Sequence, residues 1–223
     1  MPKKKDRPYR DVKPVLHIYC EGEKTEPNYL NDYIAKYFPT NRLLKVVKIE
    51  TTKKNTPKQL VDEAVAAKAA AKKNSLDDDI FWVVYDRESE QKYSDKLHAS
   101  AYEKAIKHDI NLAISNVCFE AWLLLHFKDT NAQYTCYDDL RNKSVLRTEC
   151  QKRGISDYDK GNKAIFTKLK KNEIEIARER AIRINEQTKI SADPSHTKPY
   201  QWNPYTDVYK LLDAIDEFAN KYK

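Results

Sequence analysis

Residues 80–88 read Ile-Phe-Trp-Val-Val-Tyr-Asp-Arg-Glu, and the fold class turns on how they are read. The run from Ile80 to Tyr85 is apolar, rich in β-branched and aromatic residues, and too short for a typical helix. It predicts a buried strand. Asp86 follows the run directly and Glu88 lies two positions on, so two carboxylates stand at the strand's carboxyl end. In open parallel sheets ligands bind just beyond that end.

Working outward, Val15 to Cys20 (VLHIYC) has the same character and leads into Glu21-Gly22-Glu23-Lys24-Thr25-Glu26. Gly22 would let the backbone turn sharply off the strand and leave Glu21 aimed into the site. Thr25 is a candidate N-cap with Pro27 in the first turn, and Leu30, Tyr33, Ile34 and Tyr37 keep helical spacing. A second strand is expected from Leu43 to Thr51. Thr56-Pro57 opens an alanine-rich helix to about Lys73. Beyond Glu88, a helix near 94–107 and a strand near 110–115 complete the alternation.

Strand–helix alternation of this kind predicts an α/β fold: a mostly parallel sheet of about four strands, with helices on both faces. From position 118 the pattern turns helical, with helices expected over 119–127, about 136–152 and 162–188. A last helix is expected from Asn203-Pro204 to about 221. The expected organisation is a basic arm over 1–13, an α/β core over 14–128 and a basic helical part over 129–223 packed on it.

Lysines and arginines number 41 against 34 acids, a net charge of +7. Arg141 to Lys189 holds 14 of the basic residues and 7 of the acids, a difference equal to the whole excess. A basic region on a neutral body suits a polyanion such as nucleic acid, although a solvated helix surface would have the same composition. No apolar run reaches the ~18–20 residues of a membrane span, so no membrane partner is expected. The basic N-terminus lacks the apolar stretch of a secretory signal. Four cysteines without a Cys-x-x-Cys pair read as reduced thiols of a cytoplasmic protein. Gly22-Glu23-Lys24-Thr25 lacks the upstream glycine of a phosphate loop, which argues against ATP binding.

A third strand end leads through Asn116 to Glu120, on a helix that is apolar nearly all round (Phe119, Ala121, Trp122, Leu123 to Leu125). A carboxylate there implies a partner, either a metal ion or a lysine or arginine. Carboxylates gathered at one sheet edge repel and call for a cation. Oxygen-only ligands suit Mg2+ or Mn2+. Glu26 reads as an auxiliary ligand or, better, as a favourable charge in the first helical turn. Lys24, Arg87, Lys160 and Lys163 are candidates to contact phosphates, and each equally reads as a surface cation.

Four blocks carry a resemblance: CEGEKTEPNYL (20–30), VVYDRE (83–88), SNVCFEAWLLLHF (115–127) and NPYTDVYKLL (203–212). Together they are similar to the RloB (AbiLii-type) family, and the Glu-Gly and Asp-x-acid turns look like those of Toprim domains. The resemblance spans about residues 14 to 215. It implies a Toprim-like, Rossmann-like fold, a place in prokaryotic anti-phage abortive-infection systems, and an AAA/ABC-type ATPase partner. Carried over, Glu21 takes the place of the Toprim glutamate and Asp86 that of its first aspartate. Glu88 stands where a second aspartate is usual, keeping the charge on a longer arm.

Toprim domains serve several reactions, and size selects among them. The ~95 residues after 128 are too few for the extra bodies of a topoisomerase or a primase. The expectation is a Mg2+- or Mn2+-dependent nuclease acting on DNA or RNA, tRNA included, with Glu21, Asp86, Glu88 and Glu120 as catalytic and metal-holding residues. The alternative is an inactive nucleic-acid-sensing or ATPase-docking subunit. A homo-oligomer is compatible with either.

Overall fold

A computed structural model describes residues 13–41, 45–155, 158–162 and 165–222. The expected basic arm, except Lys13, and the candidate Lys163 lie outside these residues. The Ile80 run becomes β3 (Ile80–Asp86), the central strand of a five-stranded sheet. β1 (Leu16–Cys20) and β4 (Asn111–Asn116) flank it in parallel, and β2 (Val47–Ile49) adds in parallel beyond β1. β5 (Tyr205–Thr206) closes the far edge antiparallel to β4, giving the order β2-β1-β3-β4-β5.

Side chains alternate across a strand, so β3 feeds two separate cores. Phe81, Val83 and Tyr85 pack on one face with Leu60, Val61 and Ala64 of α2 (Pro57–Lys73) and Ala101 and Ala105 of α3 (Asp95–Lys107). Trp82 and Val84 pack on the other, against α1 (Thr25–Tyr37) and α4 (Glu120–Phe127). α5 (Tyr137–Lys143), α6 (Leu146–Lys152), α7 (Lys171–Ser191) and α8 (Val208–Lys221) extend that second core. Eight α-helices thus flank the sheet among the described residues. α2 starts as its sequence predicts, with Thr56 Oγ1 accepting from the Gln59 amide at 3.4 Å and Pro57 in the first turn.

Four local expectations change. Thr25 is the first residue of α1 rather than its N-cap, because its hydroxyl accepts from the Gly161 amide at 2.8 Å. The helix expected over 136–152 is two helices, separated where Ser144 adopts an extended backbone and its hydroxyl accepts from Leu146 N. α7 begins at Lys171, not near 162, after a 3-10 turn over Phe166–Lys168; Glu173 then caps it by accepting from Lys170 N at 2.8 Å. Asn203-Pro204 opens β5 rather than the last helix, since Tyr205 and Thr206 pair with Asn116 and Ser115.

Candidate active site

Parallel register sets the site. Cys20 of β1 lies opposite Val84 of β3, so the next residues of both strands emerge side by side. The Asp86 amide donates to Glu21 Oε2 at 3.0 Å, which fixes the Glu21 carboxylate against the end of β3. Glu26, in the first turn of α1, is buried and curls back to accept from the Gly22 amide at 3.1 Å. Glu120 opens α4 at 1% exposure; one oxygen accepts from the Tyr158 hydroxyl at 3.1 Å and the other, Oε2, is buried with no hydrogen-bond partner. Together with Glu88 these acids line an open cleft of about 370 Å3.

Gly22 is required for a reason other than the one expected. Its φ is not positive, and a Cβ there would meet Glu26 Oε2 at 2.0 Å. The position is kept small to hold a buried carboxylate, not to make a left-handed turn.

The main cation in the cleft arrives from far along the chain. Gly161 adopts φ +86 and packs so closely on Lys24 that a Cβ would lie 2.6 Å from the Lys24 Cβ. Its amide donates to Thr25 and its carbonyl accepts from Asn28 Nδ2 at 3.2 Å. This clamp onto α1 carries Tyr158 and Lys160 to the acids. The Lys160 ammonium also sits 4.5 Å over the Tyr137 ring.

Electrostatics follow from that arrangement. Burial, then the charges of Glu26 and Glu21, push the Asp86 carboxyl well above the usual range, with Lys160 opposing. Burial and then Glu120 push Glu26 up, with its own and the Gly22 amide opposing. Glu21 is raised to about 7 by burial, against the Asp86 amide and Lys92. Burial disfavours the Lys160 ammonium, but Asp86 and Glu120 outweigh it and raise its pKa. Four buried or half-buried carboxylates thus face one buried ammonium.

The donor set is all oxygen, matched to a hard divalent cation. Its negative charge exceeds the compensation that Lys160 provides, and Glu120 Oε2 is an unclaimed acceptor. In chemistry these residues fit Mg2+ or Mn2+. As arranged, however, no group of three His, Cys, Asp or Glu side chains among the described residues is set as ligands around one point. A cation would draw the carboxylates together.

Not every expected residue joins the cluster. Glu88 has φ +56 and its carboxylate pairs with Lys92 at 2.7 Å on the cleft's rim. Lys24 lines the cleft and is exposed. The Arg87 guanidinium turns inward, donating to the carbonyls of Tyr200 and Tyr93 at 3.0 Å and to Asp95 at 2.5 Å. It is a buried clamp, out of reach of a phosphate in the cleft. Asn116 lines a neighbouring cavity instead. Of the basic stretch, Arg178 is tied to Asp213, Asp216 and Tyr33, and Arg180 to the Leu125 carbonyl. Tyr158 went unread in the sequence; its one signal was the nearby Gly161, one of only 3 glycines in the chain.

The molecule is an α/β protein with an acidic cleft at the strand ends. Residues 16–215 match the family described as RloB-like protein, and the chain belongs to that family. No curated protein and no solved structure matches it. Among the described residues no helix is long and apolar enough to cross a membrane.

Proposed function

We propose that the chain is a Mg2+- or Mn2+-dependent nuclease whose cleft is Toprim-like. The observation that carries this reading is Glu120. Its Oε2 is buried without a partner beside Asp86, Glu26 and Glu21, a state that costs about 1–3 kcal/mol unless something fills it. Asp86 and Glu88 would hold the cation, with Glu120 holding a second ion or orienting the first. A bound divalent cation supplies charge stabilisation for the phosphoryl oxygens and a more acidic water. Glu21, whose carboxyl titrates at about 7, is suited to take or give a proton near the leaving oxygen. Lys160 and Lys24 would steer and neutralise the phosphate. The substrate is nucleic acid, DNA or RNA.

Family membership supports the wider setting, an effector of anti-phage abortive infection acting with an AAA/ABC-type ATPase. Incubating the full chain with DNA and with tRNA, with and without Mg2+ or Mn2+ and that ATPase, tests both. Cleavage that needs the cation and disappears in Asp86→Asn is the expected result. No cleavage under any of these conditions removes the reading.

One observation favours a second reading. Lys160 already places a cation among the acids, as it would in an inactive subunit that senses nucleic acid or docks the ATPase. In that case Mn2+ would leave the melting temperature unchanged.

A further inference from the structure

A second cavity, about 510 Å3, opens on the other side of Glu88, which lines both spaces. Its floor carries two asparagines held in fixed orientations. Asn116 Nδ2 donates to the Trp202 carbonyl at 2.8 Å, and Asn203 Nδ2 donates to the Tyr134 carbonyl at 2.9 Å. A carbonyl can only accept, so in each case the amide nitrogen must face it and the amide oxygen must face away. Asn203 Oδ1 is buried with no hydrogen-bond partner, and Asn116 Oδ1 takes no hydrogen bond among the described residues. The cavity therefore presents preset acceptors that lack donors.

Charge narrows the ligand. The lining cation, Arg87, is consumed by Tyr200, Tyr93 and Asp95. The lining carboxylates are largely matched too, Asp95 by Arg87 and Glu88 by Lys92. An acceptor-lined space with no available cation rejects a phosphate, and one without a large charge deficit does not demand a cation. A flat, neutral group with amino donors suits it, and the Tyr134 and Tyr200 rings in the wall offer stacking surface.

We propose that this cavity receives an unstacked nucleobase bearing an exocyclic amino group, adenine, cytosine or guanine. The proposal rests on the reading of the adjoining acidic cleft as the place where the nucleic-acid backbone lies. Carboxamides recognise base edges by paired hydrogen bonds, and bases drawn out of a stack are held between aromatic rings. A free nucleotide fits less well, because nothing in the cavity would hold its phosphates.

The test uses the full chain in EDTA and fluorescence anisotropy on labelled oligo-deoxythymidine strands. The central residue is deoxythymidine, deoxyadenosine, deoxycytidine or an abasic site. The adenosine or cytidine strand should bind about tenfold tighter than the thymidine and abasic ones. That preference should vanish in Asn116→Ala and in Tyr134→Ala, each checked for an unchanged melting profile. If one variant misfolds, the comparison among strands on the wild-type chain still decides. Equal binding of all strands overturns the proposal, as does a preference that survives both variants. Binding of an arginine-rich peptide, lost in the same variants and unaccompanied by base preference, would overturn it in favour of a protein partner. Preference without any Mn2+-dependent cleavage keeps the pocket and removes the nuclease reading. Cleavage indifferent to the base removes the pocket alone.

Discussion

Arg178 and Lys160 both come from the stretch of chain that carries the whole positive excess, yet they sit in opposite electrostatic settings. The Arg178 guanidinium meets Asp213, meets Asp216 at 2.7 Å, and donates to the Tyr33 hydroxyl at 2.6 Å, which itself donates to Asp216 at 2.5 Å. Donors and acceptors match, and the knot ties α7 to α1 and α8. Lys160 instead faces Asp86, Glu120, Glu26 and Glu21, whose charges it cannot balance. Where the fold needs rigidity it pairs charges one for one. Where the acids are gathered, a deficit is left that an external cation can fill.

The largest expected effect breaks the deficit. Asp86→Asn should lower cation-dependent cleavage at least about a hundredfold, roughly 3 kcal/mol of barrier, and remove the rise in melting temperature that Mg2+ or Mn2+ gives by binding the folded state. A mutant that keeps the wild-type thermal response would place the cation elsewhere.

Next come the two cations, compared directly. Arg178→Met leaves two carboxylates and a hydroxyl without their donor and should destabilise the protein by about 1–3 kcal/mol, whether or not metal is present. Lys160→Met should also destabilise the metal-free protein, through repulsion among the acids, but Mn2+ should restore it. Denaturant unfolding of both variants with and without Mn2+ reads the difference. Equal rescue, or rescue of neither, would erase the distinction drawn between the two regions.

Glu120→Gln is expected to be gentler on the fold. Gln keeps an oxygen to accept from Tyr158 and removes a buried charge, so metal-free stability should change by less than about 1 kcal/mol while the response to Mn2+ falls. Had Glu120 anchored a buried ion pair, the loss would be about 3 kcal/mol or more. Calorimetry on the metal-free variant separates the two.

How much of this was legible in the sequence depends on range. β1 and β3 could be read because each is a short apolar run ended at once by an acid, and the placement of Glu21 and Asp86 followed from that ending. α2 could be read because Thr56 and Pro57 state its start locally. β5 could not, since two residues with no apolar run become a strand only when Ser115 and Asn116 are beside them. The Tyr158–Lys160 turn reaches the acids through a hydrogen bond between residues 133 positions apart, which no local pattern records. Arg87 was misread as a phosphate contact for the same reason: its partners Tyr200, Tyr93 and Asp95 are set by tertiary packing.

The smallest expected effect concerns pH, and its sign separates the two regions once more. Burial raises the Glu21 carboxyl to about 7 from an ordinary value near 4.5, so between those values the folded chain holds a proton that the unfolded chain has released. Stability must then fall as pH rises across that window, whereas a charge-paired carboxylate gains stability as pH rises through its own titration. The full shift corresponds to at most about 3 kcal/mol, and partial solvent access to Glu21 and the opposing Lys92 reduce what is realised. Metal-free wild type should therefore lose stability from about pH 4.5 to 7, and Glu21→Gln should flatten part of that slope. Saturating Mn2+ should flatten it as well, because a bound cation favours the ionised form and lowers the folded-state pKa. Thermal unfolding across this pH range, on both proteins and with and without Mn2+, makes the comparison. A wild-type slope that Glu21→Gln leaves intact would mean that the proton is held elsewhere in the cluster, with Asp86 and Glu26 the carboxyls to replace next.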